Sequence, residues 1–321
     1  MRRILVTGAA GFVGGHVLPL LARGPGRGGR VAGIGRGPAP SLPTGVAYAR
    51  IDLLDAEALA GFVADFRPTA VLHLAGLASV ADSASGPAQT WRVNVDGLLN
   101  LVAAMRAAPG CTLFFVSTGE VYGSAFLAGH ALTEDAEPQP RNTYARSKWV
   151  GEQVLHDLLP RIGVKLVVLR PFNHIGPGQD ERFVVASFAG QIARIEAGRA
   201  PPRLEVGNLT SRRDFLDVAD VADAYARLID RADDLPDGSV FNIGSGCPRT
   251  IASALDGLRA VARTPFEIHV APERVRPAEI PLAAGDSGRL RAATGWAPRV
   301  AWEASLAGVL DDARARLAAA P

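Results

Sequence analysis

Three observations in the 321-residue sequence predict an α/β fold, a doubly wound parallel sheet with a smaller α/β C-terminal substrate domain. Six short apolar runs alternate with helical segments between residues 2 and 169. The first run, Ile4-Leu5-Val6, passes directly into Thr7-Gly8-Ala9-Ala10-Gly11-Phe12-Val13-Gly14. After Arg170-Pro171 the texture changes to turn formers and polar groups.

The chain runs as a strand over 2–6 and leaves it through the glycine triplet. Gly8 permits the turn, Gly11 lets a pyrophosphate reach the backbone, and Gly14 lets the next helix pack close to the sheet. That helix, residues 11–22, presents free N–H groups at Phe12 and Val13 and the positive end of its dipole to phosphate. This is the pattern of a Rossmann-type dinucleotide fold, although a glycine triplet in a Gly-rich chain also fits a plain turn. A Gly/Pro-rich turn over 24–29 leads to a strand at 31–34. Gly35 stands where such folds place an acid for the adenosine ribose, and Arg36 follows. Losing the acid removes repulsion against a 2′-phosphate, and a guanidinium offers that phosphate a planar fork. The sequence therefore favours NADP(H) and leaves NAD(H) possible; the plain alternative for Arg36 is a solvated loop residue.

A strand over 46–51 ends in Asp52-Leu53, and Asp55 caps a helix running to about residue 66. Residues 70–74 form a continuous apolar strand, as in a buried parallel sheet, closed by Ala75-Gly76, small enough to admit a cofactor. His73 within it reads as a satisfied core residue rather than a catalyst. A helix over 87–108 carries Asn94, and a strand over 112–117, a helix over 142–159 and a strand over 164–169 follow. The dinucleotide domain thus spans 1–170, rejoined by 214–245 through a helix at 217–231 and a strand at 240–243. Residues 171–213 and 246–321 form the substrate domain, with a polar loop at 172–179, a helix at 183–197 and a short strand at 204–206. Short helices and a strand at 266–270 follow Cys247. The ligand cleft is expected between the two parts, outside the C-terminal ends of the parallel strands.

Composition narrows the function classes. Hydrophobic residues make up 48% and charged residues 21%, and the net charge of +2 comes from interspersed charges. Nothing in that balance points to nucleic acid. Cys111 and Cys247 stand far apart and outside any metal-ligand spacing, so a reduced, metal-free cytoplasmic enzyme is expected. No apolar run reaches the roughly 18 residues of a membrane span, and the chain enters a strand at once, leaving no room for a signal peptide.

The chemistry gathers around Tyr144-Ala145-Arg146-Ser147-Lys148. Four residues apart on a helix, Tyr144 and Lys148 share a face. An ammonium beside a phenol favours the phenolate and is expected to lower its pKa. Such a tyrosine can give a proton to a carbonyl oxygen as hydride reaches the carbon. Lys148 can also reach the nicotinamide ribose. Thr118, at the end of the fifth strand, offers a hydroxyl to the substrate oxygen.

The glycine loop, the Ser117-Thr118-Gly119-Glu120-Val121-Tyr122-Gly123 turn and the Tyr144/Lys148 pair together resemble the extended short-chain dehydrogenase/reductase superfamily, nucleotide-sugar branch. The resemblance covers the whole chain. It implies a Thr118–Tyr144–Lys148 triad, adenine contacts from Asp52 and Leu53, and cofactor contacts near Leu74, Ala75 and Asn94. It also implies a homodimer built through two helices per subunit. Pro171-Phe172-Asn173-His174-Ile175-Gly176-Pro177-Gly178-Gln179, Arg213-Asp214-Phe215 and Arg276-Pro277-Ala278-Glu279 resemble the GDP-mannose-derived subgroup. By that resemblance Asn173 contacts the diphosphate of a GDP-sugar, Arg213 and Arg276 hold phosphate or ribose, and Glu279 accepts from ribose hydroxyls. Fixed cations for a diphosphate and an acceptor for ribose are what such a ligand needs. Ser79, in the loop after the fourth strand, is expected to touch the sugar or to cap its loop.

Within that subgroup the residues favour reduction of a 4-keto group in GDP-4-dehydro-6-deoxy-D-mannose, giving GDP-D-rhamnose. A 4,6-dehydratase needs an acid and a base beside the threonine; Glu120 fits the base, but Gly119 offers no acid. Glu120 then serves as a substrate ligand. The 6-deoxy-D-talose product, the dehydratase, an epimerase and a fold-only nucleotide-binding regulator are the competing readings.

Overall fold

The computed structural model describes residues 2–23, 29–275 and 280–319. Most of the turn expected at 24–29, and Arg276 and Glu279, lie outside the described residues. In chain order the first elements are β1 (Arg3–Thr7), α1 (Phe12–Arg23), β2 (Arg30–Gly35), β3 (Val46–Arg50), α2 (Ala56–Phe66) and β4 (Ala70–His73). Then come α3 (Val80–Ser85), α4 (Pro87–Trp91), α5 (Gly97–Met105), β5 (Thr112–Val116), α6 (Thr143–Leu158), β6 (Lys165–Pro171), β7 (Asn173–Ile175) and α7 (Val184–Glu196). The remainder is β8 (Arg203–Val206), β9 (Arg212–Asp217), α8 (Val218–Asp230), β10 (Ser239–Ile243), β11 (Pro248–Thr250), α9 (Ile251–Val261), β12 (Glu267–Val270), β13 (Leu282–Ala283), α10 (Gly288–Thr294) and α11 (Trp302–Ala319).

Seven strands form one sheet in the order β10-β6-β5-β4-β1-β2-β3, all parallel. The order reverses at β1, so the switch point opens at the C-terminal ends of β1 and β4. Alternation along each strand feeds two cores. Ile4 and Val6 face α1 and α8, packing with Val17, Leu18, Val221 and Tyr225. Leu5 faces α2, α5 and α6, packing with Leu59, Leu98 and Leu155. The strand at 239–243 joins this sheet beside β6.

A separate core gathers α7, α9, α11 and β8 around Phe188, Ile192, Leu204, Leu255 and Leu310. A small four-stranded sheet in which β9 pairs with β11, β13 and β7, and the pair β8-β12, complete this part. Three expectations change. The loop over 172–179 contains β7, paired in parallel with β9. The final segment, expected to hold short helices, closes on an 18-residue one, α11. The long helix expected over 87–108 runs on from α4 into α5 through a wide helical turn at Arg92–Asp96 and ends at Met105. Such a turn inserts an extra residue and turns a side chain inward; here it brings Asn94 into the interior.

Candidate active site

The site forms where β1, β4 and β5 end. Gly8 adopts φ +68, and a Cβ there would lie 2.7 Å from the backbone nitrogen of Ala75. Only glycine lets the β1 loop cross the end of β4 so closely. Gly11 N donates to Gly8 O at 2.9 Å, closing the turn into α1. Phe12 and Val13 then supply first-turn N–H groups with no intrahelical acceptor. These groups, above a loop without side chains, fit a dinucleotide pyrophosphate. Thr7 Oγ1 accepts from Ala75 N at 3.2 Å and shares a 2.8 Å bond with His73 Nδ1. Burial pushes His73 down to about 3, with the Lys148 cation adding to the effect, so the ring is neutral and held in the core.

Asp52 and Leu53 follow β3: Asp52 Oδ1 accepts from Leu54 N at 3.0 Å, and Leu53 O accepts from Asn100 Nδ2 at 2.9 Å. At the end of β2, a Cβ on Gly35 would sit 2.9 Å from the Tyr48 hydroxyl, which donates to Gly37 O at 2.9 Å. An acid at 35 would therefore have to displace that hydroxyl, a steric pressure the sequence did not display. Arg36 is exposed beside it, and its carbonyl accepts from Arg50 Nε at 2.8 Å. Asn94 lies inside the fold beside the loop after β4. Its amide is committed to protein: Oδ1 accepts from Leu77 N at 2.8 Å, and Nδ2 donates to Leu77 O at 3.2 Å and Ser147 Oγ at 2.9 Å. It ties the loop after β4, including Leu74 and Ala75, to α6.

Asn142 caps α6 through Ala145 N at 2.8 Å, so the helix starts directly before Tyr144. Tyr144 and Lys148 are both buried on one face. Lys148 Nζ donates to Val116 O at 2.8 Å and lies 5.1 Å from the centroid of the Phe115 ring. Burial pulls Lys148 down to about 8, opposed by Glu152. Burial also pushes the Tyr144 phenol up to about 12; Thr118 beside it lowers the value and Glu120 raises it. Burial is the largest influence on this phenol, and Lys148, expected to lower it, is not among the groups that shift it here. The phenol stays protonated, which suits a proton donor.

Thr118 Oγ1 accepts from Glu120 N at 3.2 Å, turning the chain into an irregular helical run over Gly119–Ala128. Glu120 is raised by burial, with Arg213 and Asn142 favouring its charge. Asn142 Nδ2 lies 3.5 Å from Glu120 Oε2. Arg213 Nη1 donates to Arg212 O at 2.9 Å and Ile280 O at 3.1 Å. A Cβ at Gly119 would lie 3.0 Å from Phe172 Cζ. Phe172 packs with Tyr122, Phe126 and Leu132, so its ring fills the space a side chain at 119 would need.

The structure thus gathers Thr118, Glu120, Tyr144, Lys148 and Arg213. Asn173 is exposed on β7, and Ser79 is buried at the start of α3, its carbonyl accepting from Ser83 N at 3.0 Å. Sequence reasoning passed over Phe172 and Asn142. Phe172 lay inside a quoted motif, and Asn142 stood at a helix start without a role attached. Among the described residues no cluster of three or more His, Cys, Asp or Glu could hold a metal, and no helix is long and apolar enough to cross a membrane.

A doubly wound sheet with a glycine loop at its switch point and a buried Tyr–Lys pair beside it defines a nicotinamide-dependent enzyme. Residues 4–244 match the NAD dependent epimerase/dehydratase family, and the chain belongs to that family. It is 38% identical over 317 residues to the GDP-6-deoxy-D-mannose reductase of Pseudomonas aeruginosa, covering 98% of each chain. It is 32% identical to the UDP-glucose 4-epimerase of Mycolicibacterium smegmatis, covering 93% of this chain and 94% of that one. The solved structure of RMD from Pseudomonas aeruginosa complexed with NADPH superposes with a TM-score of 0.83 at 37% identity, covering 98% of this chain and all of that one. A Thermus thermophilus UDP-glucose 4-epimerase in complex with NAD gives 0.83 at 33% identity, over 97% and 99%.

Proposed function

We propose that the protein reduces the 4-keto group of GDP-4-dehydro-6-deoxy-D-mannose with NADPH, forming GDP-D-rhamnose. The observation that carries the choice of reaction is the contact between Gly119 and Phe172. Beside Thr118 stands the carboxyl group of Glu120, and between them is Gly119, where any side chain would press on the Phe172 ring. Dehydration needs an acid and a base there; reduction needs only hydride and one proton. The choice of substrate is supported by the near full-length similarity to the Pseudomonas aeruginosa reductase.

NADPH, when bound, supplies the hydride. In this reading Gly8, Gly11, Phe12 and Val13 seat its pyrophosphate, Asp52 and Leu53 flank adenine, and Leu74, Ala75 and Asn94 shape the nicotinamide side. Arg36, with its loop fixed by Arg50, holds the 2′-phosphate. Thr118 orients the keto oxygen. Tyr144, kept protonated by burial, donates its proton to that oxygen. Lys148 stabilises the phenolate left behind and holds the ribose. Glu120 and Ser79 contact the sugar, and Asn173 and Arg213 contact the nucleotide diphosphate. Residues 171–213 and 246–321 form the substrate half in this proposal, with Arg276 and Glu279 in it as nucleotide ligands. A cytoplasmic homodimer completes the reading.

The test supplies GDP-4-dehydro-6-deoxy-D-mannose, generated in place by a dehydratase, and follows NADPH oxidation and the product. One NADPH consumed per GDP-6-deoxyhexose, with the rhamnose configuration at carbon four, is the expected result. The talose configuration would change the product but keep the reaction. Conversion of GDP-mannose without reductant, or of a UDP-sugar, would overturn the proposal.

A further inference from the structure

Behind the triad lies a buried ion pair that the proposed chemistry does not use. Glu152 stands one turn beyond Lys148 on the same helix, 1% exposed. Its carboxylate accepts from Arg170 Nη2 at 2.6 Å and Nε at 3.2 Å, and from the Ser117 hydroxyl. Arg170 in turn donates to the Tyr122 hydroxyl at 3.1 Å, which donates to Asn242 Oδ1 at 2.7 Å. An ion pair this deep is rarely retained for stability alone, since desolvation offsets most of its attraction. Its placement offers another reason. Three consecutive residues at the end of β5 meet three successive turns of α6. Thr118 faces Tyr144, Val116 O accepts from Lys148 at 2.8 Å, and Ser117 donates to Glu152.

We propose that Glu152, anchored by Arg170 and Ser117, is a positioning residue for this reaction: it locks the end of β5 onto α6 and places a fixed carboxylate one helical turn from the Lys148 ammonium. The groups facing Lys148 are Tyr144 and Glu152 from α6, the neutral His73 from β4, and the Phe115 ring and Val116 carbonyl from β5. Glu152 is the one acid among them, and it opposes the burial that draws Lys148 down to about 8.

The inference rests on Lys148 serving Tyr144 as proposed above. Its test is the pH profile of NADPH-dependent reduction, with Glu152→Gln and the double variant Glu152→Leu/Arg170→Met beside the wild type. Reduction needs the charged lysine, so rate is lost as pH rises through its pKa. Removing the carboxylate lowers that pKa, and the alkaline limb moves to lower pH by about one unit, a ten-fold loss above the limb. KM for the sugar nucleotide stays within about two-fold. The apolar pair leaves no uncompensated guanidinium, so the double variant decides the question where Glu152→Gln fails to fold. An unmoved alkaline limb in a folded variant overturns the inference. A wild type that fails to oxidise NADPH with this substrate overturns the proposed function instead.

Discussion

The two groups of candidate site residues are built differently. On the sheet side, Thr118, Tyr144 and Lys148 sit on a strand end and a helix that bond to each other, with both titrating groups buried and moved by desolvation. On the other side, Asn173 is exposed, and Arg213 is held by backbone carbonyls of Arg212 and Ile280. The first arrangement fixes where a proton moves. The second presents charge to a ligand that arrives with its own. A buried, preorganised group contributes mainly in the transition state, whereas a half-exposed cation contributes mainly to ground-state binding. The difference teaches that substitutions on the two sides should separate kcat from KM.

The sharpest way to break that comparison is Tyr144→Phe. It removes the proton donor and little volume, so kcat should fall by about 10²–10⁴-fold with KM for the sugar nucleotide nearly unchanged. Steady-state kinetics decides it; turnover near that of the wild type would remove Tyr144 from the chemistry. Next in size is the acid sensitivity of the sheet side. His73 is depressed to about 3 in the fold, against 6.5 when free. Folding favours its neutral form, so the stability is full above pH 6.5 and declines as pH falls toward 3. Between pH 7 and 4.5 urea unfolding should lose up to about 3 kcal/mol, more than in His73→Gln. Equal losses in both would show that His73 is not the sensor.

Arg213→Gln tests the opposite side. Loss of one charge-assisted contact should raise KM for the sugar nucleotide about ten-fold or more while kcat changes less than three-fold. A fall in kcat with KM unchanged would place Arg213 with the triad and erase the contrast between the two sides.

How far the sequence spoke follows the same division. The sheet was legible because strand runs such as 70–74 are apolar on both faces, and a cap such as Asp55 marks a helix start. The Tyr144/Lys148 pair was legible because helical spacing alone puts both on one face. What stayed hidden depended on distant contacts. The wide turn at Arg92–Asp96 arises where Asn94 reaches Leu77 and Ser147, and no local pattern encodes it. β7 was hidden because its partner, β9, lies some forty residues on and neither strand alternates clearly. The rise of the Tyr144 pKa was hidden because spacing reveals a neighbour's charge but not the depth of burial. Phe172 against Gly119 joins residues more than fifty positions apart, so a missing acid could be read from the sequence but not the ring that replaces it.

The smallest effect expected is at the cofactor's far end, and it sharpens the comparison most finely. Arg36 and Arg50 are exposed at the ends of neighbouring strands, where Gly35 pairs with Arg50. An acid at 35 would press on the Tyr48 hydroxyl, and two cations stand at this end instead. Exposed cations are screened by salt, unlike the buried lysine. Arg36→Ala should therefore raise KM for NADPH about ten-fold at low ionic strength and less at high, leaving NADH unaffected. Kinetics with both cofactors at two salt concentrations checks this. An equal rise for NADPH and NADH would mean that Arg36 supports the loop rather than the 2′-phosphate, and the preference between cofactors would then rest on the steric pressure from Tyr48 alone.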